Sequence, residues 1–288
     1  MAIDLHIHST ASDGTVAPAD LPALAAAADL SAIALTDHDT VDGLPEFLAR
    51  QKDFPQIKLI GGIEFSSRLD ARELHIVGLF IDRNNAQLQN FLAVMRDSRL
   101  NRAEAMRHKL KQLGYEISWD DLREAGMKSE VPGRPHFAEV LVKKYNFPDN
   151  RSVFERLLKR GAPGYEPRDL PTPSEAIQII KKADGVAVWA HFLNSRYNAN
   201  NLVRRTIQEL KIAGLDALEA YYTEYTPTRQ ATALRMAAEN SLAISGGSDF
   251  HGTIHPEVQL GRGRGNLLVP DEVLETLERA RSPKLVII

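Results

Sequence analysis

Short apolar segments alternate with helical segments along most of the chain, and this alternation most constrains what the chain can fold into. The predicted strands cover residues 3–7, 32–36, 57–63, 74–80, 186–190, 217–220, 242–245 and 267–269. Predicted helices, with a helical period of apolar residues, cover residues 17–29, 173–183 and 226–239. Strands that alternate with helices form a parallel sheet, and this many repeats predict an α/β barrel that is closed or nearly closed.

Residues 84–171 interrupt the alternation. This segment is helix-like and rich in Arg, Lys and Glu, and it contains no convincing series of strands. We therefore predict a barrel domain formed by residues 1–83 and 172–288, with residues 84–171 as a small helical domain inserted into it. A chain of 288 residues is long enough to bury the core of such a barrel.

Composition excludes several classes of protein and site. The chain has no cysteine, which excludes disulfides, iron–sulfur clusters and thiolate zinc sites. Its net charge of −3 gives no overall attraction to long nucleic acid, so an anionic substrate must be held by a local site. No apolar run reaches the length of a membrane span, and the first residues lack the pattern of a signal peptide. We expect a cytoplasmic protein that has no membrane partner.

Two histidines stand one residue apart on the first predicted strand. Residues i and i+2 of a strand share a face, so His6 and His8 point the same way and can bind one divalent metal ion together. An isolated pair of this kind is about as often one buried and one surface histidine. Here more His, Asp and Glu residues lie in the loop after this strand and at the ends or starts of other predicted strands, and in a barrel the carboxyl ends of the strands converge on one mouth. These are Asp13, His38, Glu64, His75, His191, Asp249 and His251. The nine side chains predict a multinuclear metal site of nitrogen and oxygen ligands.

The same stretches resemble the motifs of a known family. DLHIHSTASDGT, ALTDHDTVDG, GIEFSS, HIVGLF and GGSDFHG are similar to the successive motifs of the PHP (polymerase and histidinol phosphatase) family. The resemblance covers nearly the whole chain and implies a distorted (β/α)7 barrel. The helical insert makes the chain most similar to a bacterial branch that contains 3′,5′-nucleotide bisphosphate phosphatases and 5′→3′ exonucleases acting on short RNA.

The family pattern divides the nine ligands among three metals. The first metal is assigned to His6, His8, Glu64 and Asp249. The second is assigned to Asp13, His38 and His251. The third is assigned to Glu64, His75 and His191, with Glu64 bridging two metals. Every position holds the residue type that the family pattern expects, which implies a working site with two to three divalent ions. Mn²⁺ is our first choice of metal, and Zn²⁺ and Fe²⁺ are the alternatives.

Such a centre suits a phosphate ester. Three carboxylates contribute −3 and three divalent ions would contribute +6, which leaves about +3 to attract a phosphate dianion. Metal ions polarise phosphoryl oxygens and lower the pKa of a bound water from ~15.7 towards ~7. We predict hydrolysis by a metal-bound hydroxide without a covalent enzyme intermediate, with Asp13 and His191 as the catalytic side chains. Asp13 and a metal-bound water are alternative donors of the proton to the leaving oxygen.

The predicted insert carries most of the residues that we assign to substrate binding. Arg99 and Arg102 share a face of a predicted helix and can hold one phosphate, although a solvated charged face is the alternative. VPGRPHFAEVL presents Arg134 and His136 at a helix start, which favours an anion. In the related branch of the family this stretch faces the metals. Arg196, in FLNSRYNAN, is assigned to a phosphate or a base, or to shaping its own loop.

Two sites for phosphate, one with metals and one with arginines, indicate a substrate with two phosphates. We predict a phosphatase that removes the 3′-phosphate of 3′,5′-nucleoside bisphosphates such as pAp, giving the 5′-monophosphate and phosphate. The first alternative is a 5′→3′ exonuclease on short 5′-phosphorylated oligoribonucleotides. The second is a histidinol-phosphate-type phosphatase, in which the arginine-bearing insert would have little to do. The third is a non-catalytic, metal-stabilised binding module, against which the complete ligand set argues. The expected partners are small nucleotides and, for the first alternative, short RNA.

Overall fold

The computed structural model of the protein describes residues 2–125, 131–194 and 200–281. The chain divides into two compact units, Met1–Phe91 with Pro171–Ile288, and Leu92–Leu170. The strands are β1 (Ala2–Ile7), β2 (Leu30–Leu35), β3 (Lys58–Leu69), β4 (Arg72–Leu79), β5 (Val186–Trp189), β6 (Ala217–Tyr222), β7 (Ala243–Gly247) and β8 (Val269–Pro270). The α-helices are α1 (Leu21–Ala27), α2 (Leu44–Ala49), α3 (Ala86–Gln112), α4 (Trp119–Glu124), α5 (Arg134–Tyr145), α6 (Asn150–Val153), α7 (Pro173–Lys182), α8 (Asn200–Ala213), α9 (Pro227–Glu239) and α10 (Glu272–Ala280).

The eight strands form one sheet that curls into a nearly closed barrel. Their order is β7-β6-β5-β4-β3-β2-β1-β8. Ile7 makes a parallel bridge with Phe250, and the backbone N–H of His8 donates to the Phe250 carbonyl oxygen at 2.9 Å. The chain that follows β7 thus pairs with the end of β1. The α/β barrel predicted from the alternation of elements is confirmed.

Two strands depart from the parallel arrangement: the long strand β4, and the two-residue β8, which pairs antiparallel with β1. β4 pairs antiparallel with both β3 and β5, whereas β1, β2 and β3 are mutually parallel, as are β5, β6 and β7. Only Asp70 and Ala71 separate β3 from β4, and a parallel connection needs a dozen or more residues. Asp70 has φ 55°, a conformation that tight hairpin turns use. The hairpin also carries β3 to Leu69 rather than to residue 63, where the predicted strand ends.

An apolar cluster fills the barrel. Ile3 and Leu5 of β1 belong to it together with Ile60 of β3, and Val273 and Leu277 of α10 add to it. Burial of side chains of this size stabilises the fold by about 1.5–3 kcal/mol each. The polar residues described below therefore sit in a firmly packed scaffold.

The second unit is helical in its described part and has a core of its own. Met106 and Leu110 of α3 pack with Phe137 and Leu141 of α5, and Leu158 completes this group. The helical character predicted for the insert agrees with this arrangement. None of the described helices of the chain combines the length and the apolar character needed to cross a bilayer.

Candidate metal centre

Glu64 lies at the centre of the side chains predicted to be metal ligands. Its Oε2 atom is 3.0 Å from Nδ1 of His38 and 3.2 Å from Nε2 of His8. The same oxygen is 3.3 Å from Nε2 of His6. Glu64 is 1% exposed, so this carboxylate is surrounded by imidazoles rather than by water.

The other predicted ligands join the same cluster. Oε1 of Glu64 is 3.0 Å from Nδ1 of His75 and 3.2 Å from Nε2 of His191. Two further carboxylates extend it: one oxygen of Asp249 is 3.3 Å from Nε2 of His8, and one of Asp13 is 3.3 Å from Nε2 of His251. The structure therefore brings all nine residues together within the first unit. Their roles as ligands stay a prediction.

Local irregularities of the sheet aim the side chains at Glu64. The pairing of β1 with β2 shifts register between Asp4 and Ile7, and such a bulge re-aims the side chains that follow it. Leu5 can therefore pack in the apolar interior while His6, the next residue, reaches Glu64.

The antiparallel direction of β4 explains how His75 reaches the same place. His75 lies near the start of its strand, where it pairs with Ser66, two residues beyond Glu64 in β3. The start of an antiparallel strand lies beside the carboxyl ends of its parallel neighbours. A histidine at a strand start thus joins ligands that come from strand ends.

Several buried polar atoms at the centre have no hydrogen-bond partner in the part of the chain that the structure describes. They are Nε2 of His6, both ring nitrogens of His8, Nδ1 of His38 and Oε2 of Glu64. Buried polar atoms are rarely left unpaired, because each costs about 1–3 kcal/mol. Imidazole nitrogens that converge on a carboxylate oxygen without hydrogen bonds are the arrangement that divalent cations require. The residues present therefore fit metal ions.

Ligand atoms within 4.8 Å of one another define three overlapping groups. These groups are His8 with Asp13, His38 and His251; His6 with His8 and Glu64; and His38 with Glu64 and His75. In this geometry His8 and His38 each belong to two groups, and Glu64 also belongs to two. Overlapping groups of nitrogen and oxygen donors suit a cluster of divalent ions that share ligands.

The carboxylates of the cluster are held in the charged form. Burial would raise the pKa of Glu64, but the imidazoles of His38, His6 and His75 outweigh burial and hold it well below its usual range. Burial likewise opposes ionisation of Asp249, yet contacts with His6 and His8 keep its pKa well below the ordinary value. Both side chains are therefore anionic at neutral pH.

Three histidines of the cluster fall into two protonation classes. Burial would lower the pKa of His8, but Asp249 and Glu64 raise it to about 9, and Glu64 similarly raises the pKa of His75 to about 10. His38 behaves differently, because burial outweighs its contact with Glu64 and lowers its pKa to about 4. In metal-free protein, protons on His8 and His75 stand in for some of the positive charge that metals would supply.

Asp13 is the most accessible of the nine predicted ligands. Its side chain is 54% exposed, whereas that of Glu64 is buried. Burial opposes its ionisation, but contacts with His251, His38 and His8 together outweigh burial and lower the pKa of its carboxyl far below the usual range. An ionised Asp13 accepts hydrogen bonds or binds a cation, and it has no proton to donate at neutral pH.

Two buried aspartates that sequence reasoning missed support the ligand loops. Asp4 accepts hydrogen bonds from the backbone N–H groups of Ser248 (2.8 Å) and Gly261 (2.7 Å), which fixes the segment before Asp249. Asp37 accepts from both the backbone N–H and the hydroxyl of Ser9 at 2.7 Å, which fixes the loop before Asp13. Asp4 lies two residues before His6 in the same strand, but this position does not reveal its partners, which come from segments far along the chain.

Strained backbone conformations coincide with the centre. Asp249 has φ 57° and His191 has φ 32°, values in the left-handed region that favours glycine. Such residues cost about 1–3 kcal/mol each and persist where the surroundings over-determine them. The hydroxyl of Tyr222 donates to Oδ2 of Asp249 at 3.1 Å and helps to fix this carboxylate.

The second unit gathers the arginines that we assigned to substrate binding. Burial lowers the pKa of the Arg102 guanidinium, and the neighbouring charges of Arg134, Arg168 and Arg99 lower it further. Arg102 and the three arginines that act on it form a positive group, and we call these four residues the arginine group. Sequence reasoning missed Arg168, because it stands far from the others along the chain. The arginine group is a candidate site for an anion.

Arg134 and His136 lie at the first turn of α5, as predicted. The guanidinium of Arg134 lies over the rings of Phe154 (5.6 Å) and Tyr165 (5.7 Å). Nδ1 of His136 accepts a hydrogen bond from the backbone N–H of Gly133 at 3.0 Å, so His136 caps its own helix. Arg196 lies within 195–199, outside the described residues. The substrate-binding roles of all these residues stay predictions.

A family profile described as the PHP domain matches residues 4–160 of the chain. A 5′-3′ exoribonuclease of Haemophilus influenzae is 34% identical over 283 residues, which cover 96% of this chain and 98% of that protein. A 3′,5′-nucleoside bisphosphate phosphatase of Chromobacterium violaceum is 34% identical over 250 residues, which cover 86% and 87% of the two chains. These two relatives have the same percentage identity to the chain and different names, so identity alone does not choose between the activities.

A solved structure supports the fold. A protein of Bifidobacterium adolescentis, described as a candidate metal-dependent phosphoesterase, superposes with a TM-score of 0.79. The two proteins are 27% identical, and the alignment covers 98% of this chain and 97% of the other. The similarity therefore extends over both units, and the His, Asp and Glu cluster suits the divalent metals that such a phosphoesterase needs.

Proposed function

The chain belongs to the PHP domain family and is a phosphoesterase of that family, and from this premise we propose that it removes the 3′-phosphate from 3′,5′-nucleoside bisphosphates such as pAp. The observation that carries the proposal is the buried cluster around Glu64, where ring nitrogens of His6, His8 and His38 approach one carboxylate oxygen without hydrogen bonds. A centre of this composition suits divalent ions and hence a phosphate ester.

The proposal assigns two to three divalent ions to the nine residues, with Mn²⁺ first and Zn²⁺ or Fe²⁺ as alternatives. Such ions, when bound, polarise phosphoryl oxygens and make water a better nucleophile. The protein's own residues set the charge of the site. Glu64 and Asp249 supply buried negative charge. The imidazoles bind metal as neutral nitrogen donors after they have lost their protons.

Asp13 and His191 are the catalytic side chains in this proposal. Asp13 is exposed and ionised, so it suits binding a cation or accepting a hydrogen bond from a bound water better than donating a proton. Of the two proton donors that the sequence left open, a water is therefore the better one. His191, whose Nε2 is 3.2 Å from Glu64, would hold the phosphate or a metal beside it.

A second phosphate on the substrate gives the arginine group a role. The charges of Arg134, Arg168 and Arg99 act on Arg102, so an anion bound beside Arg102 would be attracted by all four residues. We assign the 5′-phosphate to this group. A histidinol phosphate has one phosphate and would leave the group without a ligand.

Exonucleolytic cleavage of short 5′-phosphorylated RNA is the second candidate function. The exoribonuclease of Haemophilus influenzae, 34% identical over 96% of this chain, favours it. Both activities need recognition of a 5′-phosphate, and in both the 3′-oxygen of the first nucleotide leaves the reacting phosphorus. They differ in what else that phosphorus carries: the rest of the RNA chain in the exonuclease reaction, and only phosphate oxygens in the phosphatase reaction.

A product screen with Mn²⁺-loaded protein tests the proposal. The substrates are pAp, 3′-AMP, 5′-AMP, histidinol phosphate and a 5′-phosphorylated dinucleotide, with phosphate and nucleotide products measured separately. We expect pAp to have the highest kcat/KM and to yield AMP and phosphate, with 3′-AMP much slower because it lacks the second phosphate. A higher kcat/KM for the dinucleotide would favour the exonuclease. No turnover of any substrate by metal-loaded protein would favour a binding module.

A further inference from the structure

Glu219 of β6 is a buried carboxylate that the cluster of nine ligands does not include. Its Oε1 atom accepts a hydrogen bond from Nδ1 of His6 at 2.9 Å. Its Oε2 atom accepts one from the backbone N–H of His191 at 2.6 Å. Glu219 is 2% exposed, so water does not compete for either oxygen. One side chain thus contacts two ligand residues that come from different strands.

The first contact fixes the tautomer of His6. A carboxylate accepts hydrogen bonds and does not donate them, so in its neutral, metal-binding form the His6 ring carries its proton on Nδ1. The lone pair is then on Nε2, the nitrogen that lies 3.3 Å from Glu64 and 3.6 Å from Asp249. A histidine binds metal through the nitrogen that carries no proton, and a carboxylate behind the ring holds it in that form.

The second contact fixes the backbone of His191. Its φ of 32° is unfavourable for a residue with a Cβ, so the surroundings must hold it. The short bond from its N–H to Glu219 helps to hold it, together with the bond from the Asn194 N–H to the His191 carbonyl oxygen at 2.9 Å. In that conformation Nε2 of His191 lies 3.2 Å from Oε1 of Glu64.

We propose that Glu219 is a positioning residue that organises two separate metal ligands at once. It holds His6 in the tautomer that leaves Nε2 free to bind metal, and it holds the strained backbone that turns His191 towards Glu64. The inference rests on the metal centre of the proposed function, but not on the identity of the substrate. Glu219 acts through its neighbours and is not assigned as a ligand.

The chain offers a matched control in the same strand region. Asp216, just before β6, is also a part-buried carboxylate that accepts a backbone hydrogen bond, from Ala187 of β5 at 2.8 Å, and it pairs with Lys181 at 2.7 Å. It touches none of the nine predicted ligands. Glu219→Gln and Asp216→Asn therefore both remove a carboxylate charge that bonds to the backbone near β5, and only one of them acts on the centre.

The test is calorimetric titration of metal-free protein with Mn²⁺ and, separately, with Zn²⁺. Glutamine keeps the size of Glu219 but has only one acceptor oxygen, so its amide group cannot serve both donors. We expect Glu219→Gln to lower metal affinity by about 10- to 100-fold. Asp216→Asn should bind metal like the wild type, even though both variants lose some thermal stability.

A spectroscopic measurement separates positioning from folding. In Zn²⁺-loaded, ¹⁵N-labelled protein, the His6 ring signals, assigned by their loss in His6→Gln, should show a protonated Nδ1 and a metal-bound Nε2. Glu219→Gln should change this pattern, while Asp216→Asn should not.

Three results would overturn the inference. Wild-type metal affinity in Glu219→Gln would overturn it while leaving the proposed function intact. Equal loss of affinity in both variants would assign the effect to general destabilisation. Wild-type protein that binds no divalent metal would overturn the proposed metal centre and this inference together.

Discussion

The backbone N–H of Asp249 donates a hydrogen bond of 2.9 Å to the carbonyl oxygen of His6. This bond joins the segment after β7 to β1 and helps to close the barrel. The side chains of the same two residues also meet, with Oδ1 of Asp249 3.6 Å from Nε2 of His6. Closure of the barrel and assembly of the cluster therefore depend on the same contact.

A substitution beside this contact should lower both the stability of the barrel and the affinity of the cluster for metal. A Cβ added to Gly247 would lie 2.4 Å from Cβ and 2.5 Å from the backbone nitrogen of His6. Because backbone cannot easily move aside, Gly247→Ala should lower the free energy of unfolding by about 1–3 kcal/mol and weaken Mn²⁺ binding. Gly61→Ala is the control, since its nearest neighbour is the Leu44 side chain at 3.4 Å. Urea unfolding of metal-free protein measures the difference, and equal stability of the two variants would contradict the expectation.

The metal content of the protein is a direct prediction. Protein produced with added manganese should carry about two to three divalent ions per chain, because the nine residues form overlapping ligand groups. Chelation should abolish activity and lower the melting temperature, since metal binding stabilises the folded state. Elemental analysis gives the count. Full activity with less than one ion per chain would rule the multinuclear centre out.

Two ligand substitutions should differ in severity. Asp249→Asn keeps the volume of the side chain but removes a negative charge that lies 3.3 Å from His8, so metal occupancy and turnover should both fall by orders of magnitude. His191→Asn should have a milder effect if its metal mainly positions the phosphate. Metal content and kcat of each purified variant are the measurements. Wild-type turnover in Asp249→Asn would remove that residue from the site.

A feature of the fold or of the metal centre could be predicted from sequence when its cause lies in residues that are close together along the chain. His6 and His8 share a face because of strand periodicity alone, so it could be predicted that their two rings lie close together. The direction of β4 was also within reach, because two apolar runs separated by a short turn at Asp70 indicate a hairpin.

The supporting residues depend on distant neighbours. Glu219 and Asp4 act through hydrogen bonds to residues 213 and 244 positions away, namely His6 and Ser248. Such bonds exist only because particular strands lie side by side, and no local pattern records them. Arg168 escaped notice for the same reason, because packing within the second unit brings it near Arg102.

Metal binding and stability should depend on pH in opposite ways. The pKa values of His8 (about 9) and His75 (about 10) in metal-free protein lie above the ordinary value of 6.5. Because metals bind only the unprotonated rings, Mn²⁺ affinity should rise between pH 7 and 10.

The stability of metal-free protein should fall over the same range. Raised folded-state pKa values contribute stability that is fully present below pH 6.5 and is lost as pH rises through 9 to 10. The low pKa values of Glu64 and Asp249 add no slope there, because both are ionised in the folded and unfolded states. Thermal unfolding with EDTA at pH 7, 8 and 9 measures the slope, and calorimetry measures the affinity. An affinity independent of pH would show that no proton leaves on binding.

The last prediction concerns the arginine group and a second phosphate. A hydrogen bond to a charged group is worth about 1.5–3 kcal/mol, so Arg134→Ala should lower kcat/KM for pAp by roughly ten- to a hundredfold. A small chromogenic phosphomonoester has no second phosphate and should be hydrolysed nearly as fast as by the wild type. The metal count should not change, because the substitution removes no predicted ligand. Arg123→Ala is the control, since Arg123 is an exposed arginine of the same unit that pairs with Asp120.

Arg134 also packs over Phe154 and Tyr165, so the variant must be separated from a folding defect. A folding defect lowers activity on both substrates equally and lowers the melting temperature. Loss of a phosphate contact acts on pAp alone, and it appears mainly in KM if the 5′-phosphate is bound equally in the ground and transition states. Arg134→Lys should recover part of the activity, because lysine keeps the charge but not the paired donors. Equal loss on the two substrates, or no loss on either, would leave the arginine group without a substrate role and favour a plain phosphomonoesterase.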